Sequence, residues 1–340
     1  MYHDTVGRRT FGEDDVKPNH RVLAFCLALA FGLFAPPELA TAQQQPTKVK
    51  ISRLSFPSLS TLMIDIINTK GIDKKHGIDL EGVSFSAVSS YVAALASGET
   101  EITATGPHVV QKMILEGVPI RIGLTWARLN VMSVIAADAT IKSIADLKGK
   151  SIAADMGSAE YQILAISGRK QGIVFGKDVT VVQAGPPLAR TQLQAQRVEA
   201  AMMWETTTTM TLRDNPNYRV ILSGDAAWKA ISDTPGFDLV VAMREDFLKS
   251  KPEALPRLAR MFQEGQEFIK NNLDEADAIV ANSVKLPPGV FKEAVTSGRL
   301  LYDIVIADTQ RAALTEMFRA AVDSGYIPKM PPEHAIHKQN

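Results

Sequence analysis

Six aromatic side chains stand out by position. Phe56, Phe85, Tyr91, Trp126, Tyr161 and Trp204 each fall at or just past the end of a β-branched run. Aromatics make up only 6% of the chain, so their gathering at strand ends points to a planar or apolar small molecule held between rings. The competing reading is that the rings simply pack two parts of the fold together. Three helix starts lie among them: Ser89-Ser90, Gly106-Pro107-His108 and Gly157-Ser158-Ala159. Helix starts present free backbone N–H groups and a positive dipole end, which suit carboxylate, sulfonate or phosphate oxygens. Ser58, Ser60, Ser89 and Ser158 add hydroxyl donors, or else cap their own helices. His108 can donate to an anion or sit in solvent on a first helical turn. Arg128, just past Trp126, is the best cation in reach, against a plain solvated arginine. Asp155 and Glu205 end strands, placed to accept from a donor on the solute or to lock two halves of the fold. Two acids without an arginine clamp argue against bare nitrate or sulfate, which need dense donors. The expected ligand-binding set is Phe56, Ser58, Phe85, Ser89, Pro107, His108, Trp126, Asp155, Gly157, Ser158, Ala159, Trp204 and Glu205.

The same residues offer little for catalysis. No serine sits in a nucleophile-elbow pattern. His76, His108, His334 and His337 are too scattered to propose a metal site. The single cysteine, Cys26, lies inside an N-terminal apolar run. No catalytic residue, metal or cofactor is expected.

That apolar run, Val22 to Phe34, follows Arg21 and precedes Ala40-Thr41-Ala42. A basic residue, a short apolar core and a small-x-small site make a secretion signal, cleaved near Ala42. The run is too short to span a bilayer, which takes ~20 residues. Residues 1–15 read as a false start, with Val16 the candidate true one. Signal removal takes Cys26 with it, so the mature chain has no disulfide and no thiol nucleophile. Lys plus Arg and Asp plus Glu balance at 37 each, and the leader's charges nearly cancel, so the mature chain is close to neutral. No basic stripe for nucleic acid follows from this.

Strands are expected at Lys48–Ser55, Ile78–Phe85, Glu101–Gly106, Ile120–Trp126, Val131–Ala137, Ser151–Asp155, Val179–Gln183 and Glu199–Glu205. Amphipathic helical stretches separate most of them. Alternation of this kind implies parallel α/β layers, whose ligands bind beyond the strands' carboxyl ends. Tyr218–Ser223 and Asp238–Met243 read as strands returning the chain to a first lobe. Paired strand segments near Ala127–Val134 and Gly224–Phe237 are expected to make the crossings. From Pro252 the pattern is helical, with breaks near Asn272, Pro287-Pro288 and Gly298.

Four segments carry a family resemblance. Gly71-Ile72-Asp73-Lys74-Lys75-His76-Gly77-Ile78-Asp79-Leu80 resembles "GLFKKHGLDV". Ala94-Leu95-Ala96-Ser97-Gly98-Glu99 with Glu101-Ile102 resembles "ALASGEVDI". Ser143-Ile144-Ala145-Asp146-Leu147-Lys148-Gly149-Lys150 resembles "SLADLKGK", and Val198-Glu199-Ala200-Ala201-Met202-Met203-Trp204-Glu205 resembles "VDAAVVWEP". In this order they resemble the periplasmic solute-binding proteins of ABC importers, in the nitrate/sulfonate/taurine and thiamine-precursor group. Thr206 stands where that pattern has proline. The resemblance implies a type II periplasmic-binding-protein fold, α/β with two lobes around a ligand cleft. It divides the chain into residues 43–130 with 224–340 as lobe 1 and 131–223 as lobe 2. It implies closure around one solute, delivery to an ABC permease in the inner membrane, periplasmic location and a monomer. The expected solute is a small organic anion with a planar part, an aromatic carboxylate or sulfonate. The alternatives are a neutral heteroaromatic, such as a thiamine-precursor pyrimidine, and an enzyme on the same fold. The enzymes of that fold rely on cysteine, which the mature chain lacks.

Overall fold

The computed structural model describes residues 45–338. The expected secretion signal, its cleavage site and Cys26 lie outside the described residues. Ten strands and thirteen α-helices are found among the described residues. The strands are β1 (Thr47–Leu54), β2 (Ile78–Phe85), β3 (Ile102–Thr105), β4 (Ile120–Arg128), β5 (Met132–Ala136), β6 (Ser151–Ala154), β7 (Thr180–Gln183), β8 (Ala200–Trp204), β9 (Arg219–Ser223) and β10 (Phe237–Arg244). The helices are α1 (Leu59–Lys70), α2 (Ile72–Lys75), α3 (Val88–Ser97), α4 (Pro107–Leu115), α5 (Ala159–Lys170), α6 (Pro186–Gln194), α7 (Thr207–Asp214) and α8 (Gly224–Lys229). They continue as α9 (Glu245–Ser250), α10 (Ala254–Asn271), α11 (Leu273–Val284), α12 (Val290–Thr296) and α13 (Arg311–Asp323).

The strands form two sheets of five, ordered β2-β1-β3-β10-β4 and β7-β6-β8-β5-β9. In the first, β1 pairs parallel with β2 and β3, and β10 runs antiparallel between β3 and β4. In the second, β6 pairs parallel with β7 and β8, and β5 runs antiparallel between β8 and β9. Strands joined by a crossover helix within one sheet must run parallel. The antiparallel exceptions, β5 and β10, are the two strands that have just arrived from the other sheet. Each sheet with its helices makes one lobe.

Helix α1 shows how the first lobe is built. Its apolar residues occupy more than one face: Leu59, Leu62, Met63, Ile64, Ile66 and Ile67 are all buried. A helix apolar all round belongs between layers, and α1 lies between its sheet and α10 and α11. It stops at Gly71, whose φ of 64° is the left-handed conformation that glycine adopts without Cβ strain. The C-terminal helices α10 to α12 supply Leu258, Phe262, Val290 and Phe291 to the same core. The helical breaks fall at Asn272, at 285–289 and after Thr296.

The crossings differ from expectation. Strand β9 stays in the second sheet at its edge, and only β10 returns to the first. The chain passes between lobes first through a tight turn at Leu129–Val131 and then through α8 and the loop before β10. Packing explains why these are not paired strands. Trp228 is buried, and its indole N–H donates to the Thr234 carbonyl at 2.7 Å, which folds the second crossing into a compact knot. Leu129 of the first crossing presses into it. A Cβ at Gly224 would lie 2.1 Å from the Leu129 oxygen, and one at Gly236 would lie 2.4 Å from Leu129 Cδ1. Both glycines are required by close approach.

Gly224→Ala is therefore expected to destabilise the protein by ~1–3 kcal/mol through overpacking. Denaturant unfolding checks this, with Gly117→Ala not a suitable control because Gly117 has φ 89°. A change below 0.5 kcal/mol, the scale of ordinary surface substitutions, would show that the two crossings are not held in contact.

Candidate functional site

The two lobes meet over a cavity at the carboxyl ends of their strands. It holds about 50 Å³ and is lined from the first lobe by Leu54, Ser58, Leu59, Ser60, Val88, Tyr91, Ala104, Thr105 and Leu239. Ser158, Ala159, Glu160 and Trp204 line it from the second lobe. A roomier groove of about 680 Å³ runs between α4, the start of α5 and the segment Tyr326–Lys329. The smaller cavity is the better candidate. It sits where the strands of both sheets end, the position α/β architecture offers to ligands, whereas the groove is walled mainly by helix sides and the C-terminal segment.

Two helices begin at the cavity. Ser58 caps α1 from an extended conformation, its hydroxyl accepting from the Thr61 N–H at 3.3 Å. Ser158 caps α5 in the same way, accepting from Tyr161 N–H at 3.1 Å. The capping hydroxyls are thus engaged, while first-turn N–H groups of a helix have no intrahelical partner. The Tyr91 hydroxyl donates to the Ala104 carbonyl and reaches Ser60 Oγ at 3.4 Å, so the ring forms a fixed wall. Burial first, and then the Glu160 charge, holds that phenol well above its ordinary range, against the opposing hydrogen bonds to Ser60 and Ala104. Trp204 closes the opposite side and stacks on Phe56 of the other lobe, centroids 6.5 Å apart and planes at 26°.

Glu160 is the one ionisable acid in the lining, and no basic side chain lines it. Burial pushes its carboxyl up to about 7. Hydrogen bonds from its own backbone N–H and from Ser158 act the other way, and the nearby Asp155 adds to the rise.

The structure brings together Ser58, Ser158, Ala159 and Trp204 of the expected set. Phe56 stands behind Trp204, and Phe85 packs half-buried on the first-lobe core. Ser89 is exposed at the start of α3, whose N-cap is Ala87. Pro107 is buried at the first position of α4. Gly157 and His108 border the larger groove. Asp155 turns into its own loop, Oδ1 accepting from Gly157 N–H at 3.0 Å and Gln183 Nε2 at 2.9 Å.

Three candidates differ sharply from the sequence reading. His108 is neither in solvent nor at the cavity: it is 1% exposed, and Nε2 donates to the Met317 carbonyl at 2.9 Å. A carbonyl only accepts, so that nitrogen carries the proton. Burial lowers its pKa to about 4, the Met317 bond opposing this. Helix α13 covers this residue. Trp126 is fully buried, edge-on to Phe262 at 4.7 Å and to Tyr302 at 6.2 Å, because the C-terminal helices lie over its strand end. Arg128 pairs with Asp303 at 2.6 Å and covers the Phe237 ring at 4.7 Å.

Glu205 is fully buried and already partnered. Oε1 accepts from Arg299 Nε at 2.6 Å, and Oε2 accepts from the Thr209 N–H and hydroxyl. Arg299 follows α12 of the first lobe, so this pair bridges the lobes beside Trp204. Burial raises the Glu205 pKa against the lowering by Arg299 and Thr209. Among the described residues no group of three His, Cys, Asp or Glu is placed to hold a metal ion.

Sequence reasoning missed Leu54, Leu59, Val88, Ala104, Thr105, Glu160 and Leu239. Glu160 was within reach, since it lies in the first turn of a helix already expected to face the cleft. Leu239 was not: it enters from β10 after the second crossing.

The two-sheet cleft has known counterparts. The family model described as NMT1/THI5 like matches residues 67–276. The chain belongs to the NMT1/THI5-like family. The taurine-binding periplasmic protein of Escherichia coli is 26% identical over 230 residues, covering 66% of this chain and 66% of that protein. Among solved structures, the periplasmic aliphatic sulphonate binding protein SsuA from Escherichia coli superposes with a TM-score of 0.69 at 17% identity. The match covers 87% of this chain and 93% of that one. The alkanesulfonate-binding protein SsuA from Xanthomonas axonopodis, bound to MOPS, gives 0.68 at 16% identity, covering 86% and 97%. These structures establish the periplasmic-binding-protein fold for this NMT1/THI5-like chain.

The neutral, buried His108 makes an acid-side prediction. Its folded pKa lies below the unfolded 6.5, so the unfolded chain binds the extra proton. The stability it contributes is present above pH 6.5 and is lost as pH falls toward 4, by up to about 3 kcal/mol. Unfolding curves between pH 7 and 4 should be measurably flatter for His108→Gln than for the native protein. Parallel slopes would mean that His108 is hydrated in solution.

Proposed function

We propose that this chain is the extracytoplasmic solute-binding component of an ABC importer, without catalysis. It captures a small organic anion with a planar or apolar part and presents it to a membrane permease. The observation that carries the reading is the small cavity shared by both lobes, with two helix starts and two rings in its lining. Tyr91 and Trp204 are placed to flank an apolar or planar part, with Leu54, Leu59, Val88 and Leu239 around it. The start of α1, with Ser58 and Ser60, is the positive pole for a sulfonate or carboxylate. The printed functions of the relatives, taurine and alkanesulfonate binding, agree with this chemistry. The lobes on this reading are residues 43–130 with 224–340, and 131–223. The site consists of Ser58, Ser60, Tyr91, Thr105, Ser158, Ala159, Glu160 and Trp204, with Phe56 behind the tryptophan. Glu205 acts as an interlobe lock through Arg299 rather than as a ligand contact. Secretion with cleavage near Ala42 and action as a monomer complete the proposal.

One observation favours a second reading. Glu160 lines the cavity without a basic side chain nearby in the lining, which suits the amino group of a neutral heteroaromatic.

A thermal-shift screen against alkanesulfonates, taurine, aromatic carboxylates, nitrate and aminopyrimidines separates these. A solute at 100 times its Kd stabilises by about 2.7 kcal/mol, a clear melting shift. Sulfonates or carboxylates should give it, with the solute recovered unchanged. Trp204→Ala should weaken that binding by about 1 kcal/mol or more. A shift with aminopyrimidines alone selects the second reading. Consumption of the solute, or unchanged affinity in Trp204→Ala, contradicts the first.

A further inference from the structure

The boundary between the lobes holds a charge arrangement that capture of a solute does not require. Glu160, in the first turn of α5 in the second lobe, is 5% exposed, and Asp238, at the start of β10 in the first lobe, is fully buried. Neither oxygen of Asp238 has a hydrogen-bond partner among the described residues. The two residues are close because the lobes touch there. A Cβ on Gly106 would lie 2.5 Å from Ala159 Cβ and 3.5 Å from the Asp238 carbonyl oxygen. Helix α5 packs directly on β10.

Among the described residues, the surrounding elements bring no cation to this pair. Tyr91 on α3 and Asp155 at the end of β6 are the other titratable groups that act on Glu160 or feel its charge. From α4 comes His108, neutral and bound to the Met317 carbonyl. At the end of β4, Arg128 is committed to Asp303 and the Phe237 ring. Helix α13 contributes Met317, whose sulfur accepts from the Phe237 N–H. Two carboxylates buried together without a counter-charge cannot both be ionised at modest cost.

We propose that closing the lobes takes up a proton, shared by Glu160 and Asp238, so that acid favours the closed form and alkali opens it. In the open form the two residues part, regain water and ionise as ordinary carboxylates. The sign follows from linkage. Burial first, and then the Glu160 charge, raises Asp238 well above the usual range, while Glu160 itself reaches about 7. The closed state therefore holds a proton that the open state has already lost. Its advantage is complete below the ordinary carboxylate range and declines as pH rises through about 7, where the pair begins to give up its protons. For one proton, the open-to-closed ratio grows by up to tenfold per pH unit in that window. Because the two carboxyls interact strongly, the transition belongs to the pair rather than to either residue. The device belongs to the lobe boundary and does not depend on which solute the cleft takes, so it can fail while the binding reading stands.

Small-angle scattering of the purified protein between pH 5 and pH 9, without added solute, tests it. The radius of gyration should rise across a transition near neutrality. Asp238→Asn removes the second charge while keeping the shape, and Glu160→Gln removes the first. Each should abolish the transition or move it by at least one pH unit. Circular dichroism at each pH confirms that expansion is opening and not unfolding. A radius that does not change with pH overturns the proposal, as does a transition retained unshifted in the folded variants.

Discussion

The structure depends on how closely two backbones approach at one point. Gly106 follows β3 of the first lobe, and Ala159 begins α5 of the second. A single Cβ at Gly106 would overlap Ala159 Cβ at 2.5 Å and its Cα at 3.0 Å. Those atoms belong to a helix start and cannot swing aside, so the absence of a side chain sets the width of the cleft. Everything at the cavity follows from that width. Ser158, Ala159 and Glu160 come opposite Ala104 and Thr105, Trp204 reaches Phe56, and Arg299 reaches Glu205. The same contact buries Asp238 beside Glu160. A larger separation would hydrate the acids and break the Arg299–Glu205 bridge, so apolar packing, ion pairing and proton affinity are all coupled to one distance.

The fold was largely legible because its signal is local. Turn residues bound the strands, and Ile78–Phe85, entered from the Lys74–Gly77 turn, was read to the residue. Lys70-Gly71 marked a helix stop where the backbone turns left-handed. The site was less legible because its membership is decided by what covers each strand end. Trp126 and Trp204 look alike in sequence, an aromatic closing a β-branched run. Phe262 and Tyr302, distant in the chain, cover the first and leave the second at the cleft. His108 reads as an exposed first-turn residue until α13 is laid across it. Glu160 reads as an ordinary acid at a helix start, stabilised by the dipole, and only the opposing lobe turns it into a buried group.

The electrostatics of the cleft are asymmetric. Glu160 accepts from its own backbone N–H, so its carboxylate already occupies the positive end of α5. The start of α1 is the remaining positive pole, backed by Ser60 and the fixed Tyr91 ring. An anionic head is therefore expected against the first lobe, and any hydrogen-bond donor of the solute against the second. Charge selection in this cleft comes from helix ends and one acid rather than from an arginine clamp, whose bidentate geometry is absent from the described lining.

The central claim is that one solute is held by both lobes at once. Hydrogen exchange of the backbone amides, with and without saturating ethanesulfonate or taurine, tests it most directly. The account predicts slowed exchange at the starts of both α1 and α5, at Leu59, Ser60 and Ala159 together, with the same solute concentration dependence. Protection confined to one lobe, or centred on Tyr326–Lys329 beside the larger groove, would contradict it.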